Sequence, residues 1–228
     1  VIKMVEKNEK KTASSKVNNF LEKYRKIILG LFIFLVVAVL GFICVSFINS
    51  SATQKNLAAV EEISFELTDM SATLEESELA SRRTEIKEKI SAYTNKGGIA
   101  GVRANMLLAE VAFQEKNFQE ALDAWKKVIS KGKKSYTAPL AYFNIGVCYE
   151  ELGNLDEALK NYKTAYEAND FVLKNHAKFS YARVLETKGD FQTAYNAYKE
   201  LYDNNPDDSW AKLAKSRMIS LEIENKVE

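Results

Sequence analysis

The sequence predicts an all-α fold, with one apolar helix near the amino terminus followed by a stack of paired helices. Three observations carry this. First, Asn117-Phe118-Gln119-Glu120-Ala121, Asn154-Leu155-Asp156-Glu157-Ala158 and Asp190-Phe191-Gln192-Thr193-Ala194 repeat one pattern, each followed four residues after the alanine by Trp125, Tyr162 or Tyr198. The alanines stand 37 and 36 residues apart, and a fixed period of this size marks stacked helical units that bury their apolar faces only against neighbours. Second, 228 residues contain only two prolines, and strand signals are weak throughout. Third, Ile27 to Ile48 carries no charged residue.

The middle copy reads Tyr142, Ile145, Gly146, Tyr149, Gly153, Leu155, Ala158, Tyr162 and Ala165. This spacing resembles the tetratricopeptide repeat (TPR), a helix-turn-helix of about 34 residues. The third copy has Ala182, Leu185, Gly189, Phe191, Ala194, Tyr198, Leu201 and a closing Pro206. The first has Ala109, Ala112, Phe118, Ala121 and Trp125, but Lys116 where a glycine is usual. Small residues let helices approach and the aromatics fill the space between repeats. Gly153 and Gly189 fall where a helix must stop and the chain turn. Periods of 36 and 37 predict a longer connecting turn in each case.

The domain plan runs as a basic tail (1–26), a transmembrane helix (27–48), a membrane-proximal helical pair that forms a degenerate repeat (49–101), three repeats within 102–206 (about 102–138, 139–174 and 175–208), and a capping helix (207–228). Residues 1–26 hold eight Lys/Arg against three acids, whereas the remainder carries 24 basic against 28 acidic residues, a net of −4. A helical domain without a net positive field is a poor match for nucleic acid. Cys44 and Cys148 lie too far apart in sequence and context to suggest a disulfide, and each reads as a small buried apolar residue.

Disorder is expected to about Val17, then a short juxtamembrane helix. As a helix, Ile27 to Ile48 would be roughly 33 Å long, enough for a bilayer core of about 30 Å. Basic residues crowd its amino side and only Lys55 lies close on the other, which predicts a cytoplasmic amino terminus and an extracytoplasmic repeat domain, in the periplasm for a single-pass inner-membrane protein. The rival is a cleaved signal peptide ending near Ser50-Ser51-Ala52, against which the length of the apolar run argues. A lipid-attached Cys44 is disfavoured by Ile43 before it.

Small polar residues from Asn49 to Thr53 predict a break or cap. Val60, Ile63, Leu67, Met70 and Leu74 then form one apolar helical stripe, packed on the first repeat or, alternatively, serving as the seam of a homo-oligomer. A second helix near Glu75 to Asn95 presents Leu79, Ile86, Ile90 and Tyr93. Asn95-Lys96-Gly97-Gly98 with Gly101 reads as a turn, since a phosphate loop would need a preceding strand and a Lys-Ser/Thr. Lys126, Lys127, Lys131, Lys133 and Lys134 form a basic patch read as solvated linker. Asp207, Asp208 and Ser209 offer a cap for a last helix with Ala211, Ala214, Met218 and Leu221 inward and a wettable outer face.

Chemistry is sparse. His176 is the only histidine, which removes most general-base and zinc arrangements, and no nucleophile has a plausible partner. The expectation is no enzyme, no cofactor and no metal. By the TPR resemblance, the first helix of each repeat lines the concave face. The inward positions are then Arg103, Met106, Glu110 and Phe113; Leu140, Phe143, Asn144, Val147 and Glu150; and His176, Phe179, Arg183 and Glu186. Of these, Phe143 and Val147 divide evenly between core and groove. The TPR subclass that grips carboxy-terminal carboxylates is a poor match: Asn144 agrees, but Met106, Glu110, His176 and Ser180 do not. An apolar groove suits an extended or helical peptide.

In layout the whole chain also resembles the YfgM-like ancillary subunits of the bacterial Sec translocon. That resemblance implies a membrane-anchored protein-protein interaction scaffold near the translocon exit, holding chaperones or emerging polypeptides. Two alternatives stay open: a self-associating structural component of an envelope assembly, and a cytosol-facing receptor on an organelle membrane.

Overall fold

The computed structural model describes residues 2–132 and 136–227, with side chains from residue 18 onward. The disorder expected to about Val17, and Lys133 and Lys134 of the basic patch, lie outside the fully described residues. Nine α-helices and no strand occur among the described residues. In order they are α1 (Ile2–Thr68), α2 (Glu76–Thr94), α3 (Gly98–Gln114), α4 (Phe118–Gly132), α5 (Thr137–Glu151), α6 (Leu155–Tyr166), α7 (Lys174–Thr187), α8 (Phe191–Asn204) and α9 (Ser209–Ile223). Two compact units divide the chain, Val1–Ala52 and Thr53–Glu228.

In the first unit, every residue from Ile27 to Ile48 is exposed, and its most apolar window reaches a mean hydropathy of 3.2. This helix is long and apolar enough to cross a membrane. Cys44 is exposed on it, contrary to the expectation of a buried cysteine. The expected break at Asn49 to Thr53 does not occur: α1 continues to Thr68. Serine, asparagine and threonine cost only tenths of a kcal/mol each in a helix, and the glycine or proline that would force an end is missing there.

The second unit begins with the remainder of α1. Val60, Ile63 and Leu67 are buried against Ile86 and Ile90 of α2 and Ala104, Leu107 and Val111 of α3. Val60, Ile63 and Leu67 of the apolar stripe thus pack on the neighbouring helices, while Met70 is exposed. Met70, in a left-handed conformation (φ 50°), and a 3-10 turn at Ser71–Thr73 lead into α2. A reciprocal capping box between Glu75 and Glu78 then starts that helix.

The glycine cluster is a turn. Gly97 caps α3, and Gly98 takes φ 62°. A Cβ on Gly101 would stand 1.8 Å from the Lys96 carbonyl oxygen, so no side chain fits while that carbonyl holds its place. Asn105, fully buried, fastens the same corner, its Nδ2 donating to the Thr94 and Gly101 carbonyls at 2.7 Å each.

From α3 to α8 the helices form three pairs closed by the same device. The amides of Asn117, Asn154 and Asp190 donate to the carbonyls of Ala112, Tyr149 and Leu185 at 2.8, 2.8 and 3.0 Å, the long bond of a Schellman motif. The same three side chains then accept from the amides of Glu120, Glu157 and Thr193 at 3.3 Å each, capping the next helix. The residue before each must be left-handed: Gly153 (φ 75°), Gly189 (φ 83°) and, in the first pair, Lys116 (φ 58°). In the first period α4 has 15 described residues against 12 for α6. The second is lengthened by the connection between Tyr166 and Lys174.

Successive pairs share cores. Ala121, Trp125 and Val128 meet Ala109 and Ala112 of α3 and Ala141 and Ile145 of α5. Ala158 and Tyr162 join α5 to α7, and Ala194, Tyr198 and Leu201 join α7 to α9. Gly146 is a close approach between pairs, since a Cβ there would lie 2.8 Å from the Tyr162 ring. Cys148 is buried at the first junction, and burial pushes its thiol up to about 12. Asp208 caps α9, accepting from the amides of Trp210 and Ala211 at 2.8 and 3.3 Å. Ala211, Ala214 and Leu221 are buried as expected, but Leu213, Ile219 and Ile223 are exposed, so the outer face is mixed rather than uniformly polar.

These backbones make two opposite substitutions informative. Lys116→Gly relieves a left-handed side-chain residue and should raise urea-unfolding stability by about 1 kcal/mol. Gly146→Ala should lower it by about 1–3 kcal/mol through overpacking against Tyr162. A destabilised Lys116→Gly or a neutral Gly146→Ala would contradict the turn and the contact respectively.

Candidate functional site

Between α1, α3, α4 and α5 the second unit holds a cavity of about 360 Å³. Apolar walls come from Val60, Met106, Leu107, Phe113, Trp125, Leu140 and Val147, with Glu61, Ser64, Arg103, Glu110, Gln114 and Asn144 at its polar parts. The spacing explains the convergence: Arg103, Met106, Glu110 and Phe113 lie three and four apart on α3, as do Leu140, Asn144 and Val147 on α5. Across the cavity, Arg103 donates from Nε and Nη2 to the two carboxylate oxygens of Glu61 at 2.7 and 3.0 Å. That fork holds the Glu61 carboxyl below its usual range. Asn144 donates its amide nitrogen to the Leu140 carbonyl at 2.9 Å, leaving its oxygen as an acceptor.

Seven of the thirteen groove positions expected from sequence therefore meet in one cavity: Arg103, Met106, Glu110, Phe113, Leu140, Asn144 and Val147. Phe179, Arg183 and Glu186 line a separate, shallower depression with Phe191, Arg217 and Lys226. Phe143 and His176 lie in neither. Phe143 is 7% exposed, with ring contacts to Tyr162, Phe171 and His176 at 5.6, 6.3 and 4.7 Å. His176 stacks on Trp210 at 3.7 Å and 6°. Burial, helped by Arg183, pushes its imidazole pKa down.

Glu150 does not face the cavity either, because it serves the junction behind it. Tyr162 donates its hydroxyl to Glu150 at 2.9 Å, and Arg183 of α7 donates Nη2 to the same carboxylate at 2.8 Å. The next junction copies this arrangement: Tyr198 donates to Glu186 at 3.1 Å and Arg217 of α9 donates Nε at 3.2 Å. Each is a tyrosine-glutamate-arginine latch between consecutive pairs. One period earlier the three places hold Trp125, Phe113 and Val147, and there the cavity opens.

The positions missed by sequence reasoning are Val60, Glu61, Ser64, Leu107, Gln114 and Trp125. Val60 and Trp125 carried a signal, as members of the apolar stripe and the repeat motif, but neither was read as lining a groove. The contribution of Glu61 depends on how α1 lies along α3, which no local pattern encodes.

With the geometry described, comparisons with known proteins supply a context. Residues 108–187 match a family model described as Domain of unknown function (DUF6340). The chain is 32% identical over 126 residues to a "TPR repeat-containing protein" of Treponema pallidum (strain Nichols), covering 55% of this chain and 53% of that one. It is 34% identical over 95 residues to "Photosystem I assembly protein Ycf3" of Synechococcus elongatus, covering 41% of this chain and 54% of that one. The chain thus spans about half the length of the curated relatives it matches. Together with the helix pairs, these similarities make the chain a TPR-like, all-helical repeat protein.

The latches give the protein an alkaline limit. Burial, and then the adjacent carboxylates of Glu150 and Glu186, push the Tyr162 and Tyr198 hydroxyls above the ordinary phenol range. A phenol raised in the folded state contributes stability that is complete below its unfolded pKa, about 10, and is lost as pH climbs beyond it. Unfolding free energy should fall more steeply between about pH 9.5 and 11.5 in the native protein than in Tyr162→Phe/Tyr198→Phe. Parallel pH profiles would contradict the latch assignment.

Proposed function

We propose that the protein is a membrane-anchored interaction scaffold, with the helical repeats presenting a binding cavity for other polypeptides. The single observation that carries this reading is the apolar cavity between α1, α3, α4 and α5, open where the latch residues are replaced. An apolar concavity with a few placed polar groups is the ordinary form of a binding site. The names of the relatives support it from outside the chain: one is printed as a TPR repeat-containing protein and another as an assembly protein.

The apolar part of α1 is the anchor in this reading. Its basic amino-side flank supports an amino terminus in the cytoplasm and repeats on the extracytoplasmic, periplasmic side. A tether raises the effective concentration of a weak site near its clients, which suits assistance to secreted or envelope proteins as they fold, in the manner implied by the YfgM-like layout. The thirteen groove positions divide accordingly: the seven lining the cavity bind, Phe143, Glu150 and His176 hold the surrounding helices, and Phe179, Arg183 and Glu186 line the separate depression.

A photoreactive residue at Phe113, in the full chain in a bacterial inner membrane, should cross-link envelope proteins, and one at the exposed Val172 should not. Protease added to spheroplasts should digest the repeats. Cross-links confined to lipid or to a second copy would overturn the scaffold reading, and full protection would overturn the topology.

A further inference from the structure

The cavity carries a charge pattern that narrows its occupant. Arg103 is already held in a two-bond fork by Glu61, so this pair contributes no net charge. Glu110 lies on the same face of α3, one turn from both Met106 and Phe113, and is exposed. Among the described residues no close ion pair is formed by Glu110, though its charge acts on Arg103 along with that of Glu61. The side chains described at the cavity therefore sum to one negative charge, with the Asn144 oxygen as a further acceptor. A volume of about 360 Å³ sits at the small end of ligand pockets, about 300–1,000 Å³, and suits one or two large apolar side chains.

The latch register explains why no arginine crosses this junction. In the other two, an arginine arm from the following helix reaches the carboxylate, Arg183 to Glu150 and Arg217 to Glu186. Here Val147 has no arm and Phe113 no carboxylate, so the gap stays apolar and unbridged.

We infer that the cavity takes a leucine-like or aromatic side chain from a peptide segment that bears a lysine or arginine beside it, with Glu110 as the counter-charge. The inference rests on the scaffold reading and adds to it a partner class, cationic and apolar. An acidic segment or a free carboxy terminus meets only an arginine already neutralised by Glu61.

The test uses the full chain in phosphatidylcholine nanodiscs and two fluorescent Gly/Ser dodecapeptides, one centred on Leu-Lys-Leu and one on Leu-Glu-Leu. By fluorescence anisotropy the lysine peptide should bind about tenfold more tightly, as expected for exchanging one attractive exposed ion pair for one repulsive pair. The preference should shrink as salt rises and vanish in Glu110→Gln. Val147→Arg, with its helical circular dichroism unchanged, should block both peptides. Equal binding of the two peptides, blocked by Val147→Arg, overturns the inference and leaves the scaffold reading intact. Binding of neither peptide overturns both, as does a response of Trp125 fluorescence to decanoate alone, which assigns the cavity to small apolar ligands.

Discussion

Placing a large aromatic ring between neighbouring helix pairs is the constraint from which the rest of this structure follows. A fully buried alanine, Ala121, Ala158 or Ala194, lets the helices close up, and four residues later Trp125, Tyr162 or Tyr198 fills the space that remains. A buried phenol needs an acceptor, because an unsatisfied hydroxyl costs about 1–3 kcal/mol. Glu150 and Glu186 supply it, and a half-buried carboxylate in turn needs a cation, which the following helix supplies as Arg183 or Arg217. The choice of tyrosine thus propagates through two further helices. At the first junction the places that match the carboxylate and the arginine hold Phe113 and Val147, and the surroundings of Trp125 are largely apolar and open.

Economy in the turns follows a similar logic. Asn117, Asn154 and Asp190 each satisfy a carbonyl left over from the helix behind and an amide left over from the helix ahead. One residue therefore ends and begins a helix, and only three residues separate the members of each pair. Such a short connection fixes the antiparallel packing within a pair, and repetition of the pair builds a continuous core. Lys116 shows that the geometry outlasts the ideal residue, since the first turn keeps the left-handed conformation without glycine.

The sequence made legible whatever was written locally. The helix pairs, the turns at Gly153 and Gly189, the cap at Asp208, the contact at Gly146 and the turn at Gly97 to Gly101 all follow from residue type and spacing. So did seven positions of the cavity, because residues three and four apart on α3 and α5 share a face. What stayed hidden depended on tertiary placement. Asn49 to Thr53 looked like a break because polar residues were weighed without the helices on either side. Glu61 became a cavity residue only through the packing of α1 on α3, and Glu150 left the groove because a distant arginine claimed it. Phe143 and His176 occupy positions that the TPR resemblance assigns to the concave face, but Trp210 and Phe171 pack against them.

The view that aromatic, carboxylate and arginine form one unit in each closed junction is tested most directly by building that unit where it is missing. Phe113→Glu, Trp125→Tyr and Val147→Arg should each destabilise the full chain alone, since each leaves a polar group unpartnered or a gap unfilled. In urea unfolding, the triple variant should lose less than the sum of the three by about 1–3 kcal/mol. Losses that simply add would contradict the account.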